Sequence, residues 1–221
     1  MQQYAWLIWS SFSLIVWVII YSYSSKEKRK EMLTFSLWIS LFGFTQPLWV
    51  PEYWKPQSIF SLPFNFDIES VIFSFSTGGI AVVVYNLVFP SMVKSSARGK
   101  RLVFSLLLGP VTFIFLLFTA KINHIYSAII AMTIGGLISY FVRPELRRRM
   151  LTSLCASTII YFAYFVLLIA MFPGYVERVW NLKALWGIFI FGVPLEELIF
   201  AASLGFIWPS IYEYFRERRI M

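Results

Sequence analysis

FGVPLEELIF, residues 191–200, sets two adjacent carboxylates, Glu196 and Glu197, behind Pro194 in an apolar run from about Ala184 to Trp208. The 221-residue chain around it is 59% hydrophobic, 20% aromatic and only 14% charged, with a mean hydropathy of +0.71. A soluble domain carries roughly 25% charged residues. The deficit, together with apolar runs of about 20 residues, reads as an integral membrane protein. Inserting one ionised carboxylate at the middle of a membrane helix costs about 2.5–3.5 kcal/mol. Each glutamate therefore needs a partner, a proton or a cavity.

Outward from this stretch, the hydropathy pattern predicts an all-α membrane protein of seven transmembrane helices, near 3–23, 32–50, 67–90, 102–120, 125–142, 150–172 and 184–208. The basic residues fix a direction. Lys26, Lys28, Arg29 and Lys30 follow the first helix, and Lys94, Arg98, Lys100 and Arg101 follow the third. Arg143, Arg147, Arg148 and Arg149 follow the fifth, and Arg216, Arg218 and Arg219 follow the seventh. These are fifteen of the nineteen basic residues, so the N-terminus is expected outside and the C-terminus in the cytoplasm. The net charge of +8 is spread over every inner loop, which argues against a nucleic-acid partner. One cysteine, Cys155, and one histidine, His124, leave no disulfide and no expected metal site. Cys155 is expected to pack as a small apolar side chain. The opening MQQYAW has no basic region, so the first apolar segment is expected to be a retained anchor.

The stretch has an earlier counterpart. FNFDIESVIFSFSTGGIA from Phe64 aligns with FGVPLEELIFAASLGFIW from Phe191 at a fixed offset of 127. Glu69 meets Glu196, Phe73 meets Phe200, Gly78 meets Gly205, and Tyr85 meets Tyr212. The third and seventh helices then run the same way. The expected architecture is a 3+1+3 parallel internal repeat in one membrane domain: repeat one at 1–90, a linker helix at 91–120 and repeat two at 121–221. Glu69 and Glu196 are then equivalent across the repeat interface. Glu197 points about 100° away from Glu196, and its repeat partner is Ser70.

Pro194 is expected to start a helix after a break at Phe191–Gly192–Val193, with both glutamates in its first turn. Asp67 is expected to cap the helix that carries Glu69. A desolvated carboxyl keeps its proton and can serve as an acid. Phe73, Phe200, Tyr85 and Tyr212 are candidate ring faces for stabilising a cation.

With those residues placed, PLEELIF, read as P-x-E-E, resembles the signature of the membrane-type lycopene cyclases, found as small subunits or fused domains in carotenoid biosynthesis. PEYWKPQSIF with FDIESVIFSFSTGGI resembles the first repeat of that family, and FGVPLEELIFAASLGFIW with Tyr212 and Glu213 resembles the second. The resemblance implies an isomerase: a redox-neutral cyclisation of a linear carotenoid end group, with no cofactor and no metal. It implies Glu196 as the acid, Glu69 or Glu197 as base or cation stabiliser, and Pro194 as a structural residue. Asp67 stands where the motif has proline, a departure from the family pattern. The implied partners are a linear polyene from the lipid phase and membrane lipid, with room for a homo- or hetero-dimer. The implied location is the cytoplasmic membrane of a prokaryote. Three other readings remain beside it: a small proton-coupled transporter with the same repeat, a non-catalytic carotenoid-binding protein, and an opsin-like receptor. The last is excluded because Ala184–Trp208 contains no lysine for a retinal Schiff base.

Overall fold

The computed structural model describes residues 2–90, 100–120 and 122–218. In chain order its helices are α1 (Ala5–Tyr23), α2 (Lys26–Gly43), the short α3 (Gln46–Trp49), α4 (Ile68–Val88), α5 (Lys100–Thr119), α6 (His124–Val142), α7 (Arg147–Met171), the short α8 (Tyr175–Val179) and α9 (Leu195–Arg218). Two strands, β1 (Phe189–Ile190) and β2 (Val193–Pro194), form an antiparallel hairpin directly before α9. The fold is all-α apart from this hairpin. Among the described residues, five helices are long and apolar enough to cross a membrane: α1, α4, α6, Pro144–Met171 and Leu195–Arg216. Within α5, Leu106–Thr119 is a shorter apolar stretch. The second predicted span, 32–50, is placed differently. Its helix begins at Lys26, so its first two turns are the charged KEKRKE segment, and it ends at Gly43. Ser25 explains the early start, because its hydroxyl accepts from Lys28 N and caps the helix. Lys94, Arg98 and Arg219, used in the charge count, lie outside the described residues, as do residues 91–99 of the predicted linker.

The chain divides into two compact units. The first holds Met1–Pro90 and Met171–Asn181; the second holds Ser91–Ala170 and Leu182–Met221. In the first, α4 packs against α1 and α2. Only Ser24 and Ser25 separate α1 from α2. Arg29 reaches back across this link, donating from Nε to Tyr21 O at 2.9 Å and from Nη2 to Ser22 O at 2.6 Å. Those carbonyls belong to the last turn of α1, where the regular i+4 donors run out; Tyr21 O also accepts from the C-cap Ser24 N at 3.2 Å. Close approach is set by Gly79, whose absent side chain leaves room for the 2.9 Å bond from Trp17 Nε1 to Ser36 Oγ. In the second unit, α6 packs on α5 and α9. Gly135 lies against Gly109, and Gly136 against the Phe206 ring. Glu213 is fully buried near the end of α9 and accepts from Arg149 at 2.7 Å.

Two further expectations change. Residues 185–194 are not helical: they run through the hairpin, and α9 then continues past Trp208 and Pro209 to Arg218. The hairpin has a physical cause, since Phe191 (φ 51°) and Gly192 (φ 82°) both adopt the left-handed conformation of a two-residue type I′ turn. Cys155 is exposed on α7 rather than packed; its helix shows most of its length to the surroundings, with Met150, Phe165 and Leu168 its buried residues.

Candidate functional site

Each unit contains a hairpin-like turn followed by a helix with a buried glutamate in its first turn. In the first unit the turn is Phe64 (φ 62°) and Asn65 (φ 62°), closed by Leu62 N donating to Phe66 O at 2.7 Å. Asp67 then caps α4, its Oδ1 accepting from Ser70 N at 2.6 Å. Trp6 Nε1 donates to the same oxygen at 3.2 Å. Glu69 is wholly buried. Its Oε1 accepts from Ile59 N at 2.7 Å and Phe60 N at 3.1 Å, and its Oε2 from Ser58 Oγ at 2.5 Å. Both oxygens are thus engaged, and the carboxylate ties residues 58–60 to the start of α4.

An aromatic chain covers this end of the first unit. Trp6 lies edge-on to Trp54 with centroids 4.9 Å apart and tilts against Phe73 at 5.2 Å. Trp54 meets Trp180 at 5.5 Å, and Trp180 meets Tyr175 at 6.1 Å. The Tyr175 hydroxyl is buried without a hydrogen-bond partner. Burial, and then the charge of Asp67, push this phenol well above its ordinary range. Burial also raises the Asp67 carboxyl, against the lowering effect of its Ser70 and Trp6 bonds.

The second unit repeats the backbone pattern with different donors. Pro194 ends β2, and Leu195 N donates to Ile188 O at 2.9 Å, which joins the hairpin to the start of α9. Glu196 is wholly buried, and Glu197 is 4% exposed. Glu196 Oε1 accepts from Trp186 N at 2.6 Å and from the Tyr126 hydroxyl at 2.9 Å. Glu196 Oε2 is buried and has no hydrogen-bond partner. Glu197 Oε2 accepts from the Tyr161 hydroxyl on α7. Two of these features fall at the offset of 127. Ile59 N and Trp186 N bind the glutamates ten residues after them, and Phe64–Asn65 and Phe191–Gly192 are the paired left-handed residues.

Phe73 and Phe200 each lie four residues after their glutamate, one turn along the same helix face. Phe73 packs on Trp6, and Phe200 is half-buried. Tyr85 and Tyr212 are sixteen residues from Glu69 and Glu196, about 24 Å along a helix of 1.5 Å rise. Tyr85 packs on Phe89, and Tyr212 on Trp208 beneath Arg216. The geometry therefore does not gather these two tyrosines with the carboxylates. Ser58, Tyr126 and Tyr161 were not singled out from sequence. Each is one hydroxyl on a different element from its glutamate, and a linear reading carries no mark of that pairing.

A sequence model described as lycopene cyclase matches residues 123–215. Over those residues the chain is similar to a lycopene cyclase domain family. The matched segment is somewhat less than half of the chain and contains Tyr126, Tyr161, Pro194, Glu196 and Glu197. It supports a carotenoid cyclase-like function and, with the long apolar helices, a membrane protein. No curated protein and no solved structure matches the chain.

Proposed function

We propose that the chain is a membrane-embedded isomerase that cyclises the end group of a linear carotenoid, with Glu196 as the proton donor. The observation that carries this reading is the unpartnered, buried Oε2 of Glu196 within the lycopene cyclase segment. A carboxyl whose other oxygen already takes two donors has this one atom at which to hold a transferable proton. The Oε2–H bond breaks as the proton adds to the terminal double bond of the polyene. The resulting cation draws the π electrons of an internal double bond into a new carbon–carbon bond, closing a six-membered ring. A base then removes a proton beside the relocated cation. The product is an isomer of the substrate, and no electron leaves or enters.

Glu197, held by Tyr161, is the negative group nearest in the chain to the donor. It is assigned to stabilise the cation and take back the proton, with the ring of Phe200 adding cation–π attraction. Glu69, with three donors, is assigned to hold the 58–60 loop in place rather than to donate. The proposal keeps seven crossings, an outside N-terminus and a 3+1+3 repeat as its architecture. Seven helices of 18 residues or more among the described residues, and the shared features at offset 127, support it. The polyene is expected to arrive from the lipid.

Expression in cells that accumulate linear lycopene, followed by chromatography of the pigments, tests the reading. Ringed products are expected. Their absence from cells that make the protein in its folded form overturns it.

A further inference from the structure

The two oxygens of Glu196 have unequal surroundings, and one residue accounts for much of the difference. Tyr126 sits near the start of α6, and its hydroxyl donates to Oε1 at 2.9 Å. Its ring stacks on the ring of Trp186, with centroids 5.3 Å apart and planes 26° from parallel. Trp186 supplies the other donor to the same oxygen, its backbone N–H at 2.6 Å. The two donors are thus braced against each other. Neither can swing from Oε1 to Oε2 without breaking the ring stack or moving the backbone of the segment before β1.

We infer that Tyr126, held by the Trp186 ring, is a positioning residue that keeps the proton of Glu196 on Oε2 and fixes the direction in which it is delivered. The inference rests on the reading of Glu196 as the acid. With two donors on Oε1, the proton of the neutral carboxyl resides on the remaining oxygen. With one donor removed, Oε1 becomes a second place for that proton, and the carboxyl is free to turn about its last bond. Part of the population then presents its proton along the wrong line.

Tyr126→Phe separates this role from packing, because it keeps the stacked ring and deletes only the hydroxyl. For a misdirected proton donor kcat falls by about tenfold while KM is unchanged. A residue that only packs gives an unchanged kcat, which overturns the inference. Infrared spectra of the purified full chain give a readout that needs no turnover. A protonated-carboxyl C=O band present in the wild type and lost in Glu196→Gln belongs to Glu196. In Tyr126→Phe that band is expected at higher wavenumber, because its carbonyl loses one of two donors. Trp186→Leu, which removes the brace but keeps the backbone donor, is expected to move it the same way. A band that stays in place in both variants, or no such band in the wild type, overturns the inference. A wild type that forms no rings but shows the band and its shifts refutes the cyclase reading and leaves the proton placement standing.

Discussion

Replacing each buried glutamate by glutamine is expected to separate the two carboxyls by opposite effects. At Glu196 the amide oxygen takes the place of Oε1 and keeps the bonds from Trp186 N and Tyr126. The amide NH2 then lies where Oε2 has no partner. If that atom carries a proton in the native protein, one unpaired neutral donor replaces another, and stability changes by less than about 1 kcal/mol. The transferable proton is gone, and a lost general acid costs roughly 100- to 10,000-fold in rate. At Glu69 the charge itself matters. Three donors converge on it, and a hydrogen bond to a charged group contributes about 1 kcal/mol more than one to a neutral group, so Glu69→Gln loses about 3 kcal/mol. For a chain of this size that corresponds to about 6–12 °C in the thermal midpoint, at about 2–4 °C per kcal/mol. The assay pairs thermal midpoints in detergent with pigment chromatography from lycopene-accumulating cells grown below the lower midpoint. The expected result is Glu196→Gln, folded and without rings, against Glu69→Gln, less stable but still forming them. Rings retained in Glu196→Gln, or equal falls in midpoint for the two variants, refute the division of roles.

Three more outcomes follow from the same geometry. Tyr161→Phe removes a donor from the buried Glu197 and is expected to cost about 1–3 kcal/mol, read as a lower thermal midpoint. Gly205→Ala places a methyl group against Ser157 Oγ and within 2.6 Å of Ser153 O, a backbone atom of α7. The overpacking is expected to cost about 1–3 kcal/mol, whereas Gly109→Ala, whose nearest neighbour is Ala131 O at 3.4 Å, is expected to change the midpoint much less. Asp67 gives a pH dependence. Burial raises its carboxyl in the folded state, so the folded chain binds more protons than the unfolded one above the usual carboxylate range of about 4. Its contribution is therefore fully present at low pH and is lost as pH rises through the folded value. The amide oxygen introduced by Asp67→Asn can still accept from Ser70 N and Trp6. That variant is therefore expected to gain stability on the wild type as pH rises and to converge with it in acid. Thermal midpoints across that range check the sign.

The glutamates were legible because charge in an apolar run stands out against its surroundings. Their position in the first turns of α4 and α9 follows from Asp67 as a cap and from Pro194, which ends β2 one residue before α9 begins at Leu195 instead of opening the helix itself. The likeness to lycopene cyclases was legible from the same few residues. The hairpin before Glu196 was not, because ALWGIFIFGV is apolar throughout and periodicity cannot tell a buried strand from a helix there. What decides it is the left-handed backbone at Phe191 and Gly192, and phenylalanine gives no signal for such a conformation. The start of α2 was hidden for the opposite reason. A charged run reads as a loop in a hydropathy scan, yet Ser25 and the two-residue link from α1 make it helical. The tyrosines and the serine that hold the glutamates were out of reach, since pairing across elements is a property of packing.

The first unit is completed by a segment that the ribosome supplies late. Lys55 N donates to Val179 O at 2.7 Å, Asn181 N donates to Tyr53 O at 2.9 Å, and Tyr175 and Trp180 close the aromatic chain that begins at Trp6. Between Pro90 and Met171 the chain makes α5, α6 and nearly all of α7. The surface around Trp54 and Asp67 therefore waits, without its final cover, through the synthesis of some eighty residues. Maturation of this half is timed by the other half, and a nascent chain halted before Trp180 leaves the first unit unfinished however well its own helices have formed.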